Sequence, residues 1–262
     1  MEFSMLRVLA FLCLTFVSAF FLSLFLSTIL VMDPWLLLST ILSEEVVFAV
    51  LLSFFTATCS TLISLMVSIP VSYALSRLDF PGKTFIDGFL DIPVAVPPIA
   101  LGVMLIIFFS KTPIGLFINE SVVRFVFEVP GIVLAQFAVI CVLTIKLVKA
   151  SFDGVPVRYE RVARTLGYTE FQAFLHVTLP AAKRGILGAA LISWARALGE
   201  FGATVTLAGA TRFKTETLSI ALYLNLSAAN IEKAAAIICT LLAIACAVLV
   251  VARKLLHRGL AA

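Results

Sequence analysis

Arg196 and Glu200 stand four residues apart in the string Ser193-Trp194-Ala195-Arg196-Ala197-Leu198-Gly199-Glu200-Phe201-Gly202-Ala203. On a helix that spacing puts both side chains on one face, one turn apart. Arg196 follows Arg184 by 12 positions. A continuous helix would therefore carry it roughly 18 Å past that charge, at about 1.5 Å per residue. A charge so deep in an apolar run is costly unless it is paired or faces a cavity. Two roles are open: an ion pair that fixes helix packing, or a group lining a gate or pathway. Because Glu200 neutralises the arginine, packing is preferred.

Other residues of reactive type are scattered. Asp87 and Asp91 are also four apart, but they lie at a helix start, where carboxylates suit the helix dipole. Gly82-Lys83-Thr84 resembles the end of a phosphate-binding loop. Arg77 stands where that motif needs its first glycine, and the segment joins two apolar runs rather than a strand and a helix. There are two histidines, His176 and His257, and no Cys/His or carboxylate cluster at ligand spacing, so no metal site and no catalytic residue is expected. All five cysteines fall inside apolar runs, where they behave as small hydrophobes.

The segment 151–184 is the one stretch too polar for lipid. Glu160–Leu166 reads as a short helix with charges on one side and Val162, Ala163 and Leu166 on another, stopped by Gly167. A second helix is expected over Phe171–Val177, and Pro180 is expected to break the chain before the next apolar run. The product is a helix, turn, helix element projecting from the rest.

The remaining chain must position these groups. Its 262 residues are 62% hydrophobic and 13% charged, with a mean hydropathy of +1.15. That excludes an ordinary soluble domain, for which about half the residues are apolar and a quarter charged. The uncharged runs approach the roughly 20 residues a helix needs to cross a bilayer. We expect an all-α polytopic membrane helix bundle of about six transmembrane helices, a single domain over 1–262. The N-terminal span is 6–32, and the core spans are about 46–76, 84–110, 129–149, 185–210 and 232–255. The first span is longer than a secretory signal core and is expected to be retained.

Pro93, Pro97 and Pro98 should kink or break the third span, either as a packed kink or as a bend lining a solute path. Gly185, Gly188, Gly199 and Gly202 should let neighbouring helices approach closely. The apolar part of 209–230 is expected to lie in the interface or dip back inward. Thirteen Lys or Arg residues fall on the side of the 151–184 loop and five on the other. The positive-inside rule then puts both termini and that loop in the cytoplasm, in the cell membrane. The net charge of +4 follows from topology, and no nucleic-acid partner is needed to explain it.

The loop also carries a motif. Gly167 and Leu179-Pro180 fit the spacing E-A-A-x3-G-x9-I-x-L-P, with Ala163 on its second Ala and Val177 for Ile. In that frame the motif's Glu falls on Arg161, and Glu160 sits one position early. The spacing resembles the cytoplasmic signature of permease subunits of ABC importers. The string Arg196-Ala197-Leu198-Gly199-Glu200-Phe201-Gly202-Ala203 resembles oxyanion permeases, most closely the molybdate/tungstate group, with sulfate permeases next. The resemblance covers about 46–254.

It implies a type I importer fold and a transport subunit rather than an enzyme. It also implies a second copy of the chain, two cytoplasmic ATPase subunits and an external oxyanion-binding protein. The chain itself is expected to bind no cofactor, with ATP and Mg used by the partner. Glu160, Arg161, Ala163, Leu166, Gly167, Leu179 and Pro180 are the expected coupling residues. Arg196, Gly199, Glu200, Gly202, Pro93 and Pro97 are candidates for the pathway or for helix packing. A secondary transporter or channel working without ATP, and a membrane-embedded enzyme using Asp87 and Asp91, are the alternatives from other classes.

Overall fold

In a computed structural model describing residues 2–30 and 33–257, every regular element is a helix. The end of the first expected span at Met32, and Arg258, one of the thirteen basic residues on the side of the 151–184 loop, lie outside these residues. The first helix, α1 (Glu2–Leu30), is uncharged after Arg7 and unburied from Met5 on. A short α2 (Pro34–Ile41) leads into α3 (Glu44–Arg77), whose 34 residues span roughly 50 Å. Ser43 caps α3 by accepting from the Val46 amide at 3.4 Å, and Glu44 and Arg77 sit at the ends their charges favour.

The third expected span is two helices. α4 (Lys83–Ala95) and α5 (Pro98–Lys111) meet at a bend of 105°. Pro93 lies inside α4, while the break falls at Val96 and Pro97. Val96 is driven to extended backbone by the proline after it, and neither Pro97 nor Pro98 has an N–H to continue the ladder. After α6 (Pro113–Ser121) comes α7 (Val129–Asp153), the central helix of the bundle.

The loop element follows as α8 (Val157–Thr165) and α9 (Glu170–Ala173). Gly167 adopts a φ of +96°, a left-handed conformation that favours glycine, and so terminates α8 as expected. Thr169 and Gln172 then form a reciprocal cap on α9, at 2.9 and 3.2 Å. Pro180 does not break the chain. A wide π turn over Phe174–Thr178 runs directly into α10 (Leu179–Leu198), where Pro180 occupies the first turn and its missing N–H costs little.

The fifth expected span is also interrupted. α10 ends at Leu198 and the chain restarts as α11 (Gly202–Ala208). α12 (Leu218–Ser227) and α13 (Ile231–His257) complete the fold. The apolar stretch of 209–230 does not float at an interface: Leu218 and Ala221 of α12 pack with Val46, Ala49 and Ile237.

Among the described residues four helices, over 5–30, 44–77, 129–153 and 231–248, are long and apolar enough to cross a bilayer alone. Counting the bent α4–α5 pair as one span gives five among the described residues, against the six expected; α10, which holds most of the expected 185–210 span, carries Lys183, Arg184 and Arg196 and does not reach the same length of apolar helix. The interior seam of the bundle is polar. Ser53, Thr56, Ser60, Ser64, Ser68 and Ser72 form a fully buried stripe along α3. Ser60 Oγ reaches Gln136 Oε1 at 2.9 Å, Ser64 Oγ donates to Thr144 Oγ1 at 2.9 Å, and Thr144 and Ser193 hydroxyls pair at 2.8 Å. Small hydroxyls let α3, α7 and α10 approach and bond where lipid offers no alternative partner.

Candidate functional site

At the Arg77 end of α3, Glu160 holds the loop element to the bundle. Its residue is 8% exposed. Arg77 Nε donates to Glu160 Oε1 at 2.9 Å, while Arg77 Nη2 donates to the carbonyls of Phe152 and Val155 at 2.8 and 2.7 Å. Thr178 Oγ1 donates to the same carboxylate, and so does the Tyr73 hydroxyl, at 3.3 Å. One acidic side chain on α8 thereby ties α3 to the π turn, and Arg77 extends the tie to the end of α7. Charge-assisted bonds with several donors are what make a buried carboxylate tolerable. Tyr73 and Phe174, with ring centroids 4.7 Å apart, shield it.

The burial pattern decides the register that motif spacing left displaced. Glu160 and Ala163, three apart on one helix face, point inward, and Arg161 is exposed. The inward carboxylate of the loop is therefore Glu160. No local pattern marks Arg77, Tyr73 or Thr178 as its partners; a buried acid on α8 needs donors, but which donors reach it is a property of the fold. On the outer face, Val162 is 57% exposed, Leu166 76% and Phe171 68%. Arg158, Arg161 and Arg164 rim that surface. Leu179 and Pro180 lie where the π turn passes into α10.

Arg196 and Glu200 do pair, at 2.6 Å between Nη1 and Oε2. Glu200 also accepts the Ala203 amide of the first turn of α11 at 3.0 Å, across the gap that follows Gly199. Pro98 and Ile99 pack against Gly202: a Cβ there would lie 3.0 Å from the Ile99 nitrogen. A Cβ on Gly185 would overlap Ser151 of α7 at 2.3 Å from its Oγ. Gly199 is different: a Cβ would meet nothing nearer than its own helix at 3.8 Å, so it ends α10 without mediating a close approach.

The remaining candidates have structural partners. Asp87 and Asp91 flank Lys146 at 2.8 and 2.9 Å, which pins α4 to α7. Lys83 Nζ donates to the Leu78 carbonyl at 2.8 Å, so Gly82-Lys83-Thr84 forms a turn between α3 and α4 and no phosphate cradle. His176 Nδ1 lies 2.9 Å from the Gln172 carbonyl on the exposed side of the loop.

At the opposite end of α3 sits a second buried acid. Glu216, between α11 and α12, is fully buried and accepts the Phe213 amide at 3.0 Å. Burial, and then the neighbouring Glu45 carboxylate, raise its pKa above the ordinary 4.5. Glu45 is in turn faced by Asn225 at 3.0 Å, Arg212 at 3.9 Å and Lys233 at 4.0 Å. A raised native value means the folded chain keeps a proton that the unfolded chain releases. The associated stability is complete below about pH 4.5 and is lost as pH rises through the raised value. Glu216→Gln keeps the neutral shape at every pH. We expect it to raise thermal stability near neutral pH and to flatten the acid-side pH dependence in melts of the purified chain; an unchanged profile would contradict this.

Residues 67–261 match the family described as binding-protein-dependent transport system inner membrane component. Over 176 residues the chain is 35% identical to the molybdate/tungstate transport system permease protein WtpB of Thermococcus kodakarensis, covering 67% of this chain and 66% of that protein. Over 196 residues it is 33% identical to the molybdenum transport system permease protein ModB of Escherichia coli K12, covering 73% and 84%. A bacterial ABC transporter involved in the import of the acidic polysaccharide alginate shares the fold, with a TM-score of 0.75 at 16% identity over 98% of this chain and 95% of that one. The relatives are permease proteins, the matched segment takes in the last part of α3 and every element after it, and the fold is that of an ABC importer's membrane subunit. The chain belongs to the binding-protein-dependent transport system inner membrane components.

Proposed function

We propose that this chain is the membrane subunit of an ATP-driven importer of a tetrahedral oxyanion, molybdate or tungstate, working as two copies with two cytoplasmic ATPase subunits and an external binding protein. The substrate class is supported by the names of its relatives, molybdate/tungstate and molybdenum transport system permease proteins. An external partner is supported by a second structure of the same fold. That alginate transporter, in complex with alginate pentasaccharide-bound periplasmic protein, gives a TM-score of 0.71 at 15% identity.

The observation that carries the coupling role is the loop held by Glu160 and Arg77. Its inner face is fixed to α3 and its outer face presents Val162, Leu166 and Phe171 within a rim of arginines. An apolar patch with a charged rim is the make-up of a protein docking surface. The positive-inside rule puts this end in the cytoplasm, with both termini. Closure of the ATPase pair on ATP and Mg would then move α8, and through Arg77 the end of α3. The bundle switches between inward-open and outward-open states, each biased by the ligand that prefers it.

Membrane vesicles distinguish such an importer from an ATP-independent carrier. Tungstate uptake should need the co-expressed ATPase, ATP and the liganded binding protein together. Uptake by vesicles holding this chain alone would overturn the assignment.

A further inference from the structure

A cavity of about 290 Å³ opens where the two broken helices meet, lined by Pro93, Val96 and Pro98 from the α4–α5 bend, Val139 and Leu143 of α7, and Arg196. Of the Arg196–Glu200 pair, Arg196 lines this cavity and Glu200 does not. The Glu200 side chain is 1% exposed and the Arg196 side chain 39%. Both Glu200 oxygens are committed, one to Arg196 and one to the Ala203 amide. The guanidinium makes that single bond, and among the described residues no other protein group accepts from its remaining N–H donors. A pair serving only as a packing lock would seal both partners away from water, because an open arginine inside apolar walls is costly. Here the acid is sealed and the base is not.

We propose that the open edge of Arg196 is a transit site for a small tetrahedral oxyanion. This rests on the importer reading above and gives it a place inside the membrane. A planar guanidinium fork matches two oxygens of such an anion, and Glu200 keeps that fork fixed from behind. The rest of the cavity wall is apolar, so the anion gains one charged contact and no cage. Weak holding is what a pathway requires, since the ion must also leave. Two copies of the chain sharing one pathway would bring two such guanidiniums to a divalent anion.

The test uses the complete complex with ATPase and binding protein in proteoliposomes. Arg196→Gln combined with Glu200→Gln, which leaves no lone charge buried, should lower tungstate uptake about tenfold or more, the loss of a charge-assisted contact, with complex yield and binding-protein-stimulated ATP turnover retained. Arg196→Lys, which keeps the charge without the fork, should fall between. Yield, turnover and uptake falling together would assign Arg196 to packing alone and overturn the proposal, as would unchanged uptake.

A second measurement does not depend on transport. Leu143→Cys, in the complex with the five native cysteines replaced, is treated with anionic and cationic thiosulfonate reagents of equal size. The anionic reagent should react faster, tungstate should slow it, and Arg196→Gln with Glu200→Gln, which removes both charges together, should abolish the preference. Equal rates or a cationic preference would overturn the anion site even if the complex imports tungstate. An anionic preference that molybdate, tungstate and sulfate all leave untouched would keep the site and remove its oxyanion assignment.

Discussion

Glu160→Ala is expected to destabilise the purified chain by about 3–5 kcal/mol and to abolish ATP-driven uptake. Removing one partner of a buried pair costs on that scale because the other charge is left without compensation. Arg77 would keep its two carbonyl acceptors, but its side chain is only 6% exposed and water cannot replace the carboxylate. Thr178 and Tyr73 would lose their acceptor as well. Glu160→Gln should lie between, since an amide oxygen still accepts from Thr178 and Tyr73 while the charge is gone. Arg161→Ala, on the exposed side, should stay within about 0.5 kcal/mol of the parent. Thermal melts of the three variants decide whether the anchor sits at 160 or at 161. A loss at Arg161 equal to that at Glu160 would refute Glu160 as the anchor of the loop.

Gly167→Pro is expected to leave the chain inserted in the membrane and to uncouple ATP hydrolysis from uptake. Gly167 has a φ of +96° and donates its amide to the Arg164 carbonyl at 3.1 Å. Proline is locked near −65° and has no amide hydrogen, so the turn from α8 to α9 cannot form as it stands. None of the four spanning helices includes this turn, so insertion is unaffected. Gly167→Ala separates conformation from space. A Cβ would meet nothing within 4 Å, so it should carry only the left-handed penalty of about 1–2 kcal/mol and keep partial coupling. Uptake at the parent rate by the proline variant would rule out docking through this turn.

Much of the architecture could be read in advance because hydropathy reports directly on the solvent. The runs around α3, α7 and α13 are uncharged and largely apolar over about the length of a bilayer. The break at Val96–Pro97 was half visible: three prolines announced it, but only the fold shows that Pro93 stays helical and that Pro97 turns the chain. The break at Gly199–Phe201 was hidden, since no proline marks it; Gly199 ends α10, and Glu200 accepts the Ala203 amide in the first turn of α11. The α3 seam is hidden in the sequence for a related reason. Ser53, Ser60, Ser64, Ser68 and Ser72 sit in a strongly apolar stretch, and their helical spacing carries information only once α7 is known to pack on them.

In the loop, Gly167 and Leu179-Pro180 located the element from spacing alone. Spacing could not choose between neighbouring residues 160 and 161. That choice rests on which side chain meets Arg77, a residue 83 positions away, and contacts of that range are not written in a local pattern.

The importer assignment is tested most directly by ATP turnover of this chain purified with its ATPase, with molybdate, tungstate or sulfate supplied on the external binding protein. We predict that the protein loaded with molybdate or tungstate stimulates turnover, that sulfate stimulates it less, and that Leu166→Asp on the exposed face of the loop removes the stimulation. Turnover indifferent to all three anions, or stimulation that survives both Leu166→Asp and Gly167→Pro, would contradict it.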